Sequence, residues 1–501
     1  MNKNLFFRSI LILSISFIFA NAKELKIIGP LEISGIEPTQ SGYMFSRTQV
    51  AETLTTVNKK GELIPFLAKK WEVTKDGLSW TFFIKKGIKF HDGTSLDAKV
   101  VAFNLNRLHS LNKSVLRDLP IKSIKEKGNK IEIKLSSQFS ALPAYLAHYS
   151  TIILSKKSFN ERNKVTKIIG SGAYKVKSIT PPLRIKLTRN DNWWNGKANI
   201  KDISYLAVPK GETRSLMIKS EEAHIAYSML PISLKSLKRD PNLNTTIVTI
   251  PRTRMLKVNS GSEFFNTVTL REAISLAINR EGIARAILNN KDLAASQIFP
   301  KWMKDWHNLN LKPLTTDISQ SKVLLENSGW KLEKDGFRYK NGKKFEITLN
   351  TYPDWPDLPI IATAIQSQLK EVGIDLKVLI GSYTEIIRKH QDNSLHLGLI
   401  TRNFSLVPNP LGTLLQDYSK GGANWGAMNW TNEEMFKYLD ELKKAPNPKL
   451  LYKITELLQK ELPSIPITWS QLAAISNKKV KNFKVDPLEM NYFLSDIKWH
   501  K

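Results

Sequence analysis

The spacing of apolar residues along the chain separates predicted strands from predicted helices. Residues 130–135 alternate apolar and polar side chains, which predicts a half-buried strand. Residues 271–280 and 358–372 carry apolar side chains at helical spacing. Strands predicted at 346–350 and 375–380 flank the second of these helices. Helix and strand therefore alternate in the second half of the chain, which predicts an α/β fold.

The most regular run of local signals lies between residues 61 and 108. Residues 71–73 and 79–85 predict two strands, and the Asp-Gly pair at 76–77 predicts the hairpin turn between them, because glycine supplies a positive φ. One of the polar side chains at 94–97 can accept hydrogen bonds from the free N–H groups that begin a helix. This stretch therefore predicts a hairpin followed by a capped helix.

The same stretch resembles a family signature. The matching positions are Pro65, Leu67-Ala68, Trp71, Asp76-Gly77, Thr81-Phe82 and Gly87-Ile88-Lys89-Phe90-His91-Asp92-Gly93. In this register the stretch resembles the signature of the family 5 solute-binding proteins, the periplasmic receptors of peptide and nickel ABC importers. Residues 169–174, 189–194 and 465–469 resemble further family segments. The resemblance implies an α/β, two-lobed periplasmic-binding-protein fold of class II, cluster C type, with an extra subdomain in the first lobe.

A chain of 501 residues is expected to form more than one domain. Residues 1–22 are a predicted signal peptide. The resemblance assigns 61–168 to the extra subdomain and 251–469 to the second lobe. It assigns three segments to the first lobe, namely 23–60, 169–250 and 470–501.

The first 22 residues have the pattern of a secretory signal. Lys3 and Arg8 precede an apolar run at 10–19, and Ala20-Asn21-Ala22 is a small-x-small cleavage site. The apolar run is too short to span a bilayer. The chain has no cysteine, and a lipoprotein needs one at the cleavage site. We therefore expect a protein free in the periplasm of a Gram-negative cell.

Charge and motifs exclude several functions. The net charge is +30, but lysines are spread over the whole chain, whereas nucleic-acid binders concentrate them on one face. A generally basic surface is the simpler interpretation, and attraction of anionic solutes or an acidic partner is the alternative. The eight histidines show no metal-ligand spacing, and there is no nucleophile elbow or P-loop. We expect no enzyme, no cofactor, no resident metal and no nucleic-acid partner.

Within the family, three segments lean towards the nickel-binding branch: 103–108, 212–214 and 311–313. The residues expected from that branch match poorly. The aromatic pair around a metal chelate would fall at Phe404 and Pro408, and the loop 408–430 contains no histidine. Peptide receptors would have an aspartate at the position of Asn409, and an amide cannot balance the charge of a peptide amino group.

These departures suggest an unusual ligand, such as an anionic metal chelate whose carboxylates bind arginine forks. Arg117 and Arg402 are the candidate forks, and His148 is a candidate ligand contact. The candidate cleft walls are Tyr43, Met44, Phe404, Asn409, Asn424 and Trp425. Tyr43 and Met44 precede a helix predicted at 46–54. For each candidate, surface or core packing is the alternative.

The sequence therefore predicts a monomeric periplasmic receptor that delivers a small solute to an ABC permease in the inner membrane. The solute is nickel, a metal chelate or a peptide. The alternative is a periplasmic chaperone that binds extended polypeptide in the same cleft.

Overall fold

A computed structural model describes residues 24–58 and 60–500, so the predicted signal peptide lies outside the described residues. The strands are β1 (Leu25–Gly29), β2 (Thr55–Val57), β3 (Leu63–Pro65), β4 (Ala68–Val73), β5 (Ser79–Ile84), β6 (Ile121–Glu126), β7 (Lys130–Leu135), β8 (Tyr174–Thr180), β9 (Arg184–Arg189), β10 (Asp202–Ala207), β11 (Ile225–Tyr227), β12 (Leu243–Val258), β13 (Lys331–Leu332), β14 (Arg338–Lys340), β15 (Lys343–Lys344), β16 (Glu346–Thr351), β17 (Asp375–Ile380), β18 (Leu397–Asn403), β19 (Ser464–Asn477), β20 (Val480–Lys481) and β21 (Lys498–Trp499).

The α-helices are α1 (Pro38–Arg47), α2 (Ala98–Ser110), α3 (Leu142–Tyr145), α4 (Gly211–Lys219), α5 (Pro231–Lys238), α6 (Val268–Ala277), α7 (Arg280–Leu288), α8 (Ile318–Asn327), α9 (Asp357–Glu371), α10 (Tyr383–Gln391), α11 (Leu411–Tyr418), α12 (Glu433–Lys444) and α13 (Pro448–Glu461).

A mixed sheet of ten strands runs through the molecule in the order β17-β16-β18-β12-β19-β11-β1-β10-β9-β8. We call the end formed by β1 and β8–β11 the first lobe and the end formed by β16–β18 the second lobe. The central pair, β12 and β19, is antiparallel, and its 16 and 14 residues pair with strands of both lobes. These two strands therefore cross from one lobe to the other.

The crossing pair is interrupted near its middle. The register between β12 and β19 shifts between Ile250 and Thr253, and Pro251 lies at this point. Proline has no N–H to donate to a neighbouring strand, so bulges are among the few places in a sheet that accept it. Arg252 follows immediately and is the first residue of β12 that pairs with β18. The interruption thus coincides with the passage from the first lobe to the second.

A second sheet, of order β4-β5-β7-β6, lies within the predicted extra subdomain. Gly77 has a φ of +69° in the β4–β5 turn, and the Asp97 carboxylate accepts a hydrogen bond from the N–H of Val100, which caps α2. Both features confirm the sequence prediction. The exact domain boundaries remain a prediction.

Two predictions of secondary structure were wrong. The helix placed at 46–54 is α1, which begins at Pro38 because proline fits the first helical turn. Residues 48–54 instead leave the helix, and residues 49–51 lie against the glycine turn at 170–172. The helix at 271–280 is two helices, because Asn279 caps a new one with its side chain.

The buried carboxylate of Glu52 connects two of the segments that resemble the family, 169–174 and 189–194. Glu52 is 4% exposed and accepts hydrogen bonds from Ser171 Oγ at 2.6 Å, Trp193 Nε1 at 2.9 Å and Trp194 Nε1 at 2.8 Å. Burial raises its pKa, and these three donors oppose the rise. The segments 169–174 and 189–194 therefore fix the packing of the first lobe.

Replacing Gly172 by alanine is expected to destabilise the first lobe. A Cβ at this position would lie 2.1 Å from the carbonyl oxygen of Gln49, so backbone must move. We expect a loss of about 1–3 kcal/mol or more in the free energy of unfolding, measured by urea denaturation. Gly398→Ala is the control, because its Cβ would meet only side chains at 3.4 Å or beyond. Equal stability of the two variants would contradict the prediction.

Candidate functional site

A cavity of about 60 Å³ lies where the two lobes meet. Its walls come from the end of α1, the 3-10 turn Tyr149–Thr151, the middle of β12, the end of β18 and the C-terminal segment. The lining residues are Ser46, Arg47, Tyr149, Arg252, Asn403, Ser405, Leu406, Leu488, Glu489 and Met490. Because both lobes contribute, opening of the lobes would expose this cavity.

Helix α1 reaches the cavity because it packs closely on the turn at 149–151. A Cβ on Gly42 would lie 2.5 Å from the carbonyl oxygen of Tyr149, so only glycine allows this approach. The ring of Tyr43 meets the ring of Tyr149 edge to face, with centroids 5.8 Å apart, and its hydroxyl donates to the carbonyl of Glu32. This packing places Arg47, the last residue of α1, at the cavity wall.

The two arginines of the cavity have different surroundings. Arg252 forms a salt bridge of 3.0 Å with Glu489 and lies over the ring of Trp355, 5.0 Å from its centroid. Arg47 lies over the ring of Tyr492, 5.9 Å from its centroid. Burial lowers the pKa of Arg47, but a hydrogen bond to Tyr492 and the charge of Glu489 raise it overall.

The predicted fork Arg402 is already engaged. Its Nε and one terminal nitrogen each donate to Asp417 at 2.7 Å, and Asp417 is 1% exposed. Lys257 lies nearby, fully buried, and donates to the carbonyl of Gly426. Burial lowers the pKa of Lys257 to about 7, and the charge of Arg402 adds to this fall while that of Asp417 opposes it. Burial raises the pKa of Asp417, and the charges of Arg402 and Lys257 oppose the rise. In this structure, therefore, Arg402 supports the second lobe instead of presenting a free fork.

His148 is buried, with 6% of its surface exposed. Its Nδ1 accepts a hydrogen bond from the backbone N–H of Ser150 at 3.2 Å, and its ring contacts that of Tyr149. Burial lowers its pKa to about 3. His91, in the signature segment, is also buried. Its Nε2 donates to the carbonyl of Gly172 at 3.1 Å, and burial lowers its pKa to about 4.

Three other candidates, Met44, Phe404 and Asn409, have side chains that are engaged in packing or in a helix cap. Met44 and Phe404 are buried in hydrophobic cores, and Phe404 packs against Phe299. The Asn409 side chain accepts from the N–H of Leu411 at the start of α11, a helix within the predicted loop 408–430.

Three further candidates keep part of their surface in solvent. Asn424 and Trp425 are half-buried in the second lobe, where Trp425 contacts Tyr352 and Tyr383. Arg117 is exposed in the loop after α2. A ligand contact for any of the nine candidates stays a prediction.

Sequence reasoning missed Arg47 and Arg252. The misplaced helix hid Arg47, because a helix ending at 47 would have put this residue beside Tyr43 and Met44, already noted as a cleft region. Arg252 follows a proline in a strand that also contains threonines and other basic residues, which is a weak signal.

The described residues contain neither a metal-ligand cluster nor a membrane-spanning helix. In residues 24–58 and 60–500, no three His, Cys, Asp or Glu side chains cluster in a way that could hold a metal ion. Over the same ranges, no helix combines the length and the apolar character needed to cross a membrane.

Two lobes joined by two crossing strands, with a cavity between them, define a binding protein of the two-lobed class. Residues 62–425 match the family model described as bacterial extracellular solute-binding proteins, family 5 Middle. The chain belongs to this family, which confirms the resemblance drawn from the signature segment.

The relatives bind different solutes. The chain is 24% identical to the nickel-binding periplasmic protein of Escherichia coli K12, over 94% of this chain and 93% of the relative. It is also 24% identical to the dipeptide-binding protein of the same organism, over 86% and 85%. Among solved structures, a nickel ABC transporter protein from Bacillus halodurans superposes with a TM-score of 0.82 at 22% identity, covering 95% of this chain and 99% of that one. This likeness confirms the two-lobed fold.

Proposed function

We propose that the protein is a periplasmic receptor of a peptide/nickel-type ABC importer. It captures a nickel ion, a metal chelate or a peptide between its lobes, closes, and delivers the solute to a permease in the inner membrane. The observation that carries the proposal is the cavity between the lobes, whose walls come from both. Membership of the family supports it, because family 5 proteins are solute receptors and not enzymes.

The crossing strands support the proposal that the two lobes close on the solute. Hinged lobes that shut on a ligand need a flexible connection near the binding site. Here the register shift beside Pro251 lies next to Arg252, a cavity residue. The predicted signal peptide, with the periplasmic relative, supports a location in the periplasm. We propose a monomer.

A nickel-binding and a dipeptide-binding relative are equally identical to this chain, so identity does not favour one solute over the other. Arginines favour a solute with a carboxylate, which a peptide and an amino-acid chelate of nickel both carry. The alternative function is a chaperone that binds extended polypeptide. It predicts affinity for unfolded proteins without a preferred small solute.

Native mass spectrometry of protein purified from the periplasm without refolding tests the proposal. We expect a co-purified mass, either a nickel chelate or a ladder of peptides. Adding the matching solute at about 100 times its Kd should raise the free energy of unfolding by about 2.7 kcal/mol, seen as a higher Tm. Binding of unfolded proteins alone, or turnover of the bound solute, would contradict the proposal.

A further inference from the structure

The positive charge of the chain is denser in the predicted extra subdomain than in the predicted second lobe. Residues 61–168 contain 20 lysines and arginines against nine aspartates and glutamates, whereas residues 251–469 contain 29 against 23. Of residues 61–168, Tyr149 alone lines the cavity between the lobes. The excess positive charge of this range therefore lies away from the proposed solute site.

An open groove of about 620 Å³ lies in this basic range, between the second half of α2 and the turn at 160–164. Its walls include Phe103, Arg107, Leu111, Arg162 and Lys164. The described residues that line it contribute three cations and no carboxylate. Sites of roughly 300–1,000 Å³ hold small ligands, so the groove has room for a short segment of chain.

Arg107 ties the two walls of the groove together. Its two terminal nitrogens donate to the carboxylate of Glu37 at 3.0 and 2.6 Å, and its Nε donates to the carbonyl oxygen of Asn163 at 2.6 Å. Its guanidinium also lies 5.1 Å from the ring centroid of Phe159. Because Glu37 balances the charge of Arg107, this arginine fixes the shape of the groove and is not free for a partner.

The other two cations are presented on a fixed turn. The Oδ1 of Asn160 accepts hydrogen bonds from the backbone N–H groups of Arg162 and Lys164, each at 3.0 Å. Neither of these cations forms a salt bridge with a carboxylate of residues 24–58 and 60–500. Both side chains are exposed. The turn therefore holds two available positive charges at the groove, and a preformed backbone lowers the entropic cost of binding.

A further pair of cations lies beside the groove. The Nζ of Lys156 lies 3.1 Å from the centroid of the Phe103 ring. Burial and the charge of Lys99 lower the pKa of Lys156. The two lysines are thus close enough to repel each other, and an incoming anionic group would relieve this repulsion.

We propose that the groove between α2 and the turn at 160–164 binds an acidic, extended segment of a partner protein. Carboxylates of the segment pair with Arg162 and Lys164. An apolar side chain of the segment packs on Phe103 and Leu111. The groove shares no lining residue with the cavity between the lobes, so this docking function goes beyond solute capture.

The shape of this surface favours a peptide over a membrane. Helices that lie on membranes combine cations with apolar side chains that insert between the lipid headgroups. Among the described residues, none of the most exposed large apolar side chains lies in α2 or in residues 156–167. The aromatic ring lies instead in the wall of a groove, where the side chain of an extended segment can reach it.

Fluorescence anisotropy with two labelled peptides tests the inference on the mature protein. The peptides are Glu-Glu-Leu-Glu-Glu and Gln-Gln-Leu-Gln-Gln, both acetylated and amidated so that neither offers the free termini of a transported peptide. We expect the glutamate peptide to bind at least tenfold more tightly, and its affinity to fall with rising salt because exposed charges are screened. Replacing its leucine by serine should weaken binding about threefold, because the contact with Phe103 is lost.

Variants then assign the binding to the groove. Arg162→Glu/Lys164→Glu is expected to weaken binding of the glutamate peptide at least tenfold. Lys69→Glu/Lys75→Glu is the matched control, because it changes the net charge equally at exposed positions in β4 and the turn after it, and it should weaken binding less than twofold. Both double variants should keep the wild-type Tm.

Three results would overturn the inference and leave the proposed function standing. The first is equal or absent binding of the two peptides by the wild-type protein. The second is an unchanged affinity in Arg162→Glu/Lys164→Glu. The third is binding of phosphatidylglycerol vesicles without binding of the glutamate peptide, which would assign the basic surface to a membrane.

Discussion

Replacing Asp417 by asparagine is expected to lower the free energy of unfolding by about 3–5 kcal/mol. The substitution keeps the shape of the side chain but removes the charge that faces Arg402 at 2.7 Å and also interacts with Lys257. Both cations are wholly or largely buried and would lose their main counter-charge. Urea denaturation measures the loss.

The control for this prediction is Glu281→Gln, which breaks an exposed salt bridge to Arg285 on α7. Exposed pairs one helical turn apart contribute at most about 0.5 kcal/mol. The double variant Arg402→Met/Asp417→Leu removes both charges and should lose less than the single variant. A loss below about 1 kcal/mol in Asp417→Asn would show that Asp417 does not sustain this part of the second lobe.

Acidification is expected to destabilise the protein through its buried histidines. The pKa of His148 is about 3 in the folded protein, against 6.5 for an ordinary histidine. Between these values the unfolded chain binds the extra proton and the folded protein does not, so unfolding becomes easier as the pH falls. The contribution of the neutral, buried His148 to the free energy of unfolding is complete above pH 6.5. It decreases by about 1.4 kcal/mol for each pH unit below that value. His91, with a pKa of about 4, acts in the same direction.

Urea denaturation at pH 7.5, 6.0 and 5.0 measures this dependence. His148→Asn should reduce the slope of the free energy of unfolding against pH by the equivalent of about one proton. Asparagine can still accept a hydrogen bond from the N–H of Ser150 but does not titrate. Thr151→Ala is the matched control, since it removes a hydrogen bond to the backbone carbonyl of His148 but leaves the imidazole and its contacts, and it should keep the pH dependence. If His148→Asn and the wild type lose stability in parallel, His148 is not the group that titrates.

The sequence predicted local structure well where a few neighbouring residues decide it. The Asp-Gly hairpin and the Asp97 cap depend on bonds within three residues, and both are confirmed. Helix α1 was misplaced because its start is set by Pro38, whereas the apolar residues after it are buried against the distant turn at 170–172. Long-range packing thus overrode the local pattern.

The site itself depended on pairings that spacing does not reveal. Arg252 meets Glu489, and Arg47 meets Tyr492, only because β12 and α1 both lie against the C-terminal segment in the fold. Arg402 was a reasonable candidate fork until the structure placed Asp417, on an unpredicted helix, within hydrogen-bond distance. The sequence could not tell which arginines are already paired in the fold.

The interruption of the crossing strands at Pro251 has a mechanical consequence. If the lobes turn about this point, it acts as a fulcrum, and the distance that any atom travels grows with its distance from it. Arg252 is the next residue along the chain, so it would travel little and could keep hold of a solute throughout the movement. The outer edges of the lobes have the longest lever arms. A small rotation of the lobes around the solute would therefore change the separation of the two outer edges by a large amount. A permease that binds those edges would distinguish the open from the closed receptor by this separation.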